Sequence, residues 1–219
     1  MGQGKENQLV IYSEEEELVN RLTHGLGAVL GVAGMVFLLW RATAQGDPWR
    51  LTSCAIYGST LVLFYTISTL YHSLRRPKLR NLFRILDHVS IFFLIAGTYT
   101  PFTLITLRGA WGWTLFGIVW GMALVGAVFK AFMVHRLRML APMFYLAMGW
   151  LIVIAIRPLL DALPWNGFLW LLCGGVAYTL GVVFYAWQKI PYNHAIWHLF
   201  VLGGSISHYL AIYYYVVPV

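Results

Sequence analysis

Two histidines, His194 and His198, stand four residues apart in the segment IPYNHAIWHLF at residues 190–200, where an otherwise apolar run begins. Residues with this spacing lie one above the other on the same face of an α-helix. Neutral imidazole is a common zinc ligand, so the pair could hold one metal ion between its two rings. The sequence therefore points to metal chemistry, and a complete site needs further ligands from elsewhere in the chain.

Three further residues carry the side chains that such a site requires. His72 ends an apolar run and adds a third imidazole, which gives the three-histidine set with which catalytic zinc keeps its fourth position open for water. Asp87 opens the next apolar run and could bind or polarise that water, either directly or together with Ser68, one helical turn before His72. One interpretation is a zinc site in which the histidines bind the ion while Asp87 and Ser68 act on the water.

Each of these residues also has an ordinary structural interpretation. A single histidine near a membrane surface is commonly a hydrogen-bonded packing residue, and the Ser68 hydroxyl could bond to a carbonyl of its own helix. The histidine pair lacks the glutamate that follows the first histidine of H-E-x-x-H metalloproteases, which disfavours peptide hydrolysis by that mechanism. The chain has four more histidines, of which the first two are the better candidates for a further ligand: His24, His88, His135 and His208.

The elements that must position these residues are transmembrane helices. Of the 219 residues, 60% are hydrophobic and only 11% are charged, a composition too apolar for a water-soluble domain. A helix needs about 20 apolar residues to cross a bilayer, and seven such runs are predicted at residues 24–41, 51–72, 86–107, 111–130, 138–156, 167–187 and 195–217. We predict an all-α membrane protein, with a cytoplasmic N-terminal segment at residues 1–23 and a seven-transmembrane-helix bundle at residues 24–219.

Positive charge is distributed unevenly between the two sides of this predicted bundle. The net charge is +7, and eleven of the fifteen lysines and arginines fall in the N-terminal segment and in the loops on its side of the membrane. The positive-inside rule makes that side cytoplasmic and places the C-terminus outside. Contact with anionic lipid is a sufficient role for these charges, so no nucleic-acid partner is expected. His72, Asp87, His194 and His198 all fall at cytoplasmic helix ends, at the common depth that a single site requires.

An acidic run, Glu14 to Glu17, precedes the first predicted span. It either opens a short interfacial helix or, as we favour, forms a solvated charged surface. Within the spans, two glycine pairs at a spacing of four would let helices approach each other closely: Gly27 with Gly31, and Gly117 with Gly121.

Four segments of the chain closely resemble the bacterial hemolysin III family: STLYHS at 68–73, DHVSIFFLIAGTYTPF at 87–102, YLAMGW at 145–150 and PYNHAIWHLFVLGGSISH at 191–208. That family is similar to the progestin and adipoQ receptors (PAQR), which include the adiponectin receptors, and more distantly to alkaline ceramidases. The resemblance, which runs from about Glu16 to Tyr215, implies seven helices around a zinc ion near the cytoplasmic face. By motif match it assigns the zinc to His72, His194 and His198, with Asp87 and Ser68 flanking a bound water.

The resemblance implies one favoured function and leaves others open. The adiponectin receptors and ceramidases imply zinc-dependent hydrolysis of a lipid amide or a related membrane lipid, here in the cell inner membrane. The bacterial members imply a role in membrane-lipid or membrane-energy homeostasis or sensing, in which zinc would be structural. A pore-forming hemolysin is a third hypothesis, which is disfavoured because the spans are nearly free of charge away from the cytoplasmic rim.

Overall fold

The computed structural model describes residues 12–133 and 140–217. These residues form seven helices that are long and apolar enough to cross a membrane, α1 to α7 in chain order: Glu14–Ala44, Pro48–Ser73, Pro77–Thr106, Ala110–Phe132, Leu140–Ala162, Trp165–Ala186 and Asn193–Val216. The predicted all-α bundle of seven spans is confirmed. His135 lies outside the described residues, as do three of the eleven basic residues assigned above to one side of the membrane: Lys5, Arg136 and Arg138.

The helices α1 and α3 are longer than the apolar runs that predicted them. The predicted spans begin at residues 24 and 86, whereas the helices begin at Glu14 and Pro77. Local signals fix both starts, since Ser13 forms a capping box with Glu16 and Pro77 occupies the first turn of α3. An apolar run predicts only the part of a helix that lies in the hydrocarbon layer. It therefore does not predict the polar turns by which α1 and α3 extend beyond that layer.

The helices close into a ring, because each packs against the next in the chain and α7 returns to α1. Among the described spans α3 is the most buried, with Phe92, Leu94 and Ala96 in the core. Outward faces of α4 and α5 expose large apolar side chains such as Phe132 and Ile154, as contact with lipid tails requires. Much of the core therefore lies along the inner face of α3.

Three helices change their winding along their length. A π-helical segment ends α3 at Phe102–Thr106, directly after Pro101, and another ends α7 at Ile212–Val216. The two π segments contact each other at the end of the bundle opposite His72 and Asp87. In α5, residues Trp150–Ala155 form a 3₁₀ segment.

The backbone groups that the 3₁₀ segment releases are satisfied by Tyr99 of α3. Its hydroxyl donates to the Gly149 carbonyl oxygen at 2.8 Å and accepts from the Ile152 N–H at 2.9 Å. A backbone group without a partner is costly inside a membrane, so Tyr99 stabilises the changed winding and holds α5 against α3.

The residue Gly27 allows α1 to approach α2 closely, as predicted. A Cβ atom at this position would lie 2.4 Å from the ring of Tyr65, whose hydroxyl donates a 2.9 Å hydrogen bond to Ser205 Oγ. The corresponding prediction for Gly117 and Gly121 is wrong, because a Cβ atom at either position would meet nothing within 4 Å. These two glycines lie on an open face of α4.

We predict that Gly27→Ala lowers the free energy of unfolding by about 1–3 kcal/mol, because the added methyl group must displace a ring that is held in place. Gly121→Ala is the matched control, since it adds a methyl group to an open helix face and should be neutral or slightly stabilising. Thermal unfolding of both variants in the same detergent measures the difference. Equal unfolding midpoints would contradict the close contact.

Candidate metal centre

Three histidines come together at one end of the bundle. His72 lies in the last turn of α2, and His194 and His198 lie in the first two turns of α7. A ligand nitrogen of each lies within 4.8 Å of the other two. Nitrogens around a tetrahedral zinc ion are about 3.3 Å apart, so small rotations of the rings would bring this set to the spacing of a metal site.

Hydrogen bonds from α1 orient two of the three rings. His72 Nδ1 lies 2.7 Å from Glu17 Oε2, and because a carboxylate only accepts, Nδ1 carries the proton. His198 Nδ1 lies 3.2 Å from Thr23 Oγ1, whose single proton points to main-chain carbonyl oxygens of α1. Both contacts therefore place the proton on Nδ1 and leave the Nε2 lone pair available to a metal.

Several nitrogens of the cluster are buried and have no hydrogen-bond partner among the described residues. They are Nε2 of His72 and both ring nitrogens of His194. Buried polar atoms are nearly always satisfied by protein, water or an ion, and neutral imidazoles are donors that suit zinc. The three residues therefore fit such an ion, and the cluster could hold a metal.

Asp87 and Ser68 lie beside the three histidines. The Asp87 side chain is next to Ser68 and within electrostatic range of His72. Together with His194, Asp87 lines a small pocket of about 30 Å³, which has room for a water molecule. The structure thus brings all five predicted residues to one end of the bundle, while the roles assigned to them stay predictions.

His24 contacts the cluster, but its nitrogens do not belong to the converging set. Its ring stacks on that of His198, with centroids 3.5 Å apart and planes 15° apart, and its Nδ1 lies 2.7 Å from Ser68 Oγ. His88 is oriented by its own helix, since its Nδ1 lies 2.7 Å from the Arg84 carbonyl oxygen. His24 therefore touches the predicted ligand His198, and His88 lines the small pocket together with His194.

Two residues of α1 that belong to this site, Glu17 and Asn20, were not predicted from the sequence. The expectation of a solvated charge run is wrong at Glu17, which is only 5% exposed and contacts His72 and Arg80. Asn20 is fully buried, and its side-chain amide has no hydrogen-bond partner among the described residues. Glu17, Asn20 and His24 are spaced three and four apart and share one helix face. Polar residues at that spacing, at the start of an apolar run, are the signal that could have identified them.

The first turn of α1 also contacts the segments next to the ligand-bearing helices. Glu14 pairs with Arg75, just after α2, at 3.0 Å. Glu16 accepts a 3.0 Å hydrogen bond from the backbone N–H of Tyr192, a residue with a left-handed φ of 57° that directly precedes α7. The start of α1 is thus tied to the end of α2 and to the start of α7.

The chain is similar to bacterial and mammalian proteins over nearly its whole length. Residues 12–209 match the family described as Haemolysin-III related. The chain is 48% identical over 204 residues to Hemolysin-3 of Bacillus cereus, covering 93% of each chain. It is 46% identical over 209 residues to the Hemolysin-3 homolog of Bacillus subtilis (strain 168), covering 95% of this chain and 98% of the relative. It is 31% identical over 206 residues to the Monocyte to macrophage differentiation factor of Homo sapiens, covering 91% and 84%.

We predict that the purified protein carries about one zinc ion per chain and that the double variant His194→Ala, His198→Ala loses it, because a single remaining imidazole cannot retain the ion. His208→Gln is the matched control on the same helix, since His208 Nε2 bonds the Leu171 carbonyl oxygen at 3.1 Å instead of joining the cluster. Elemental analysis of the three proteins measures the metal content. Full retention of zinc by the double variant would contradict the ligand assignment.

Proposed function

Because the chain belongs to the Haemolysin-III related family, we propose that this multi-pass membrane protein binds zinc through His72, His194 and His198 and hydrolyses a lipid amide or a related membrane lipid. The proposal rests chiefly on an apolar cavity inside the bundle that shares walls with the pocket containing Asp87 and His194. A hydrocarbon chain and a hydrolysable polar group would thus find adjacent sites.

The cavity has a volume of about 270 Å³ and lies among α2, α3, α5, α6 and α7. Its lining is mainly apolar, and four residues line both the cavity and the small pocket: Ile91, Tyr145, Val182 and Trp197. Apolar walls with a few convergent polar groups are typical of sites for hydrophobic ligands. A membrane lipid could place a chain in the cavity while its polar group reaches Asp87 and the histidines.

Zinc bound to the three histidines would supply a Lewis acid that acidifies water and polarises a carbonyl group. The residues of the chain supply proton transfer and orientation. The Asp87 carboxylate would accept a proton from the attacking water and return it to the leaving nitrogen. Ser68, which lies 2.7 Å from His24 Nδ1 and next to Asp87, would hold that carboxylate in one orientation.

The cavity argues against the pore that the name of the Bacillus cereus relative suggests. An aqueous channel needs polar groups along its length, whereas this cavity is lined mainly by apolar side chains. Within the described residues, the buried carboxylates and histidines gather at one end of the bundle: Glu17, His24, His72, Asp87 and His198. That distribution suits a reaction site at one membrane face better than a conducting path.

We further propose that this end faces the cytoplasm and that the protein resides in the inner membrane. Basic residues are concentrated beside the histidines, at the α2–α3 connection and in the first turns of α3: Arg75, Arg76, Lys78, Arg80 and Arg84. Basic residues near the ends of spans favour the cytoplasmic side.

We predict that the zinc-loaded protein releases fatty acid from at least one lipid amide and that Asp87→Asn slows this release by about 100- to 10,000-fold, because the amide cannot accept the proton. Asp161→Asn, which changes an exposed aspartate at the far end of α5, is the matched control. The measurement is fatty-acid release from a panel of lipid amides in nanodiscs. Lack of release by the wild-type protein, or equal release by Asp87→Asn, would contradict hydrolysis.

We predict that Val182→Trp fills space where the cavity adjoins the small pocket. Binding of a fluorescent fatty-acid analogue should weaken by about tenfold or more, because overpacking costs about 1–3 kcal/mol. Val183→Trp is the matched control, since Val183 is on the neighbouring outward face and is 52% exposed. Zinc content should be unchanged in both variants. Equal binding by the two variants would show that the chain site lies elsewhere.

A further inference from the structure

We propose that Glu17, anchored by Arg80, is a positioning residue that holds His72 with Nε2 directed at the metal. The first helix would then complete a site whose ligands come from α2 and α7. This inference rests on the metal site of the proposed function and adds a residue that is not itself a ligand.

The Glu17 carboxylate lies where a charge is costly and where each of its oxygens has a separate partner. Oε2 lies 2.7 Å from His72 Nδ1, and Oε1 accepts a hydrogen bond from the Arg80 guanidinium. The side chains of Glu17 and Arg80 are only 6% and 12% exposed. Because the two partners lie in different helices, the carboxylate cannot rotate without losing one of them. Desolvation is offset only while both contacts are kept.

Arg80 is itself held in place. Its guanidinium lies 5.3 Å from the centre of the Tyr71 ring, within the range of a cation–π contact. Tyr71 directly precedes His72 in α2, so the arginine contacts the neighbour of the histidine that it supports through Glu17. The arrangement joins α1, α2 and α3 around one imidazole.

The contacts of Glu17 and Arg80 leave the His72 ring one orientation in which it can bind a metal. The ring is fully buried, and its centroid lies 5.1 Å from the centroids of both His194 and His198. With Nδ1 occupied, the remaining nitrogen of the ring is the buried Nε2, which has no partner among the described residues. A carboxylate on the outer nitrogen of a metal-binding histidine fixes the tautomer and raises the basicity of the ligand.

An ordinary ion pair between Glu17 and a protonated His72 would also hold α1 to α2. A protonated ring, however, carries a second N–H on Nε2, and that atom is buried without an acceptor in the described structure. An unsatisfied buried donor is costly, whereas a neutral ring presents a lone pair to a metal instead. The two roles differ in what they predict for metal affinity and for the electronic surroundings of the ion.

The test compares zinc affinity by chelator competition, and the visible spectrum of the Co²⁺-substituted protein, across matched variants of the full chain. Glu17→Gln keeps an oxygen acceptor but removes the charge, and Glu17→Leu removes both. Glu14→Gln is the control, because Glu14 occupies the same helical turn but forms a mostly exposed pair with Arg75. We expect the two Glu17 variants to lose about 10- to 100-fold in zinc affinity, with the leucine variant weaker, and to shift the Co²⁺ bands. Glu14→Gln should match the wild type.

Weaker zinc binding in Glu17→Gln could also arise because Arg80, without its carboxylate partner, repels the ion. The double variant Glu17→Gln with Arg80→Gln removes that repulsion and so tests positioning alone. Continued weak binding supports positioning, whereas full recovery of affinity would overturn it. Wild-type affinity and an unchanged Co²⁺ spectrum in Glu17→Gln would overturn the role of Glu17 alone. If the wild-type protein binds no zinc, the proposed function and this inference fail together.

Discussion

The cost of an unsatisfied polar atom inside a hydrocarbon layer is the constraint on which this structure depends. At one end of the bundle, Nε2 of His72 and both ring nitrogens of His194 are buried without partners among the described residues. Other buried polar groups are satisfied, as when Tyr99 bonds the backbone released by the 3₁₀ segment of α5. A concentration of unpaired donors and acceptors in one place is what a bound ion or water would relieve. The unsatisfied amide of Asn20 belongs to the same region of α1 and points to the same explanation.

The first helix links the parts of this region. Glu17 contacts the histidine of α2, Thr23 contacts a histidine of α7, and His24 contacts Ser68. A helix that supplies no member of the converging histidine set therefore orients two of the three rings and the serine. The close approach at Gly27 fits this arrangement, because it brings α1 near enough to α2 for short side chains to meet.

The fold could be predicted because hydrophobicity and length alone define membrane spans, and the clustering of His72 with His194 and His198 followed from helix-end depth and a four-residue spacing. Glu17 could not be found in this way. An acidic residue beside an apolar run is normally solvated, and its burial depends on Arg80 and His72, which are distant in sequence. The packing of Gly117 and Gly121 was predicted wrongly because glycine spacing does not indicate which helix face meets a neighbour. The apolar cavity was also beyond the sequence, since its walls come from five helices.

The π-helical ends of α3 and α7 affect how the chain tolerates changes in length. Each π turn contains one residue more than an α turn would, and both segments, Phe102–Thr106 and Ile212–Val216, come later in their helices than Asp87, His194 and His198. Loss of one residue there would return the segment to ordinary winding and rotate only what comes after it. Asp87 and the α7 histidines would keep their register, so insertions and deletions at the π-helical end of the bundle would leave the positions of these residues at the other end unchanged.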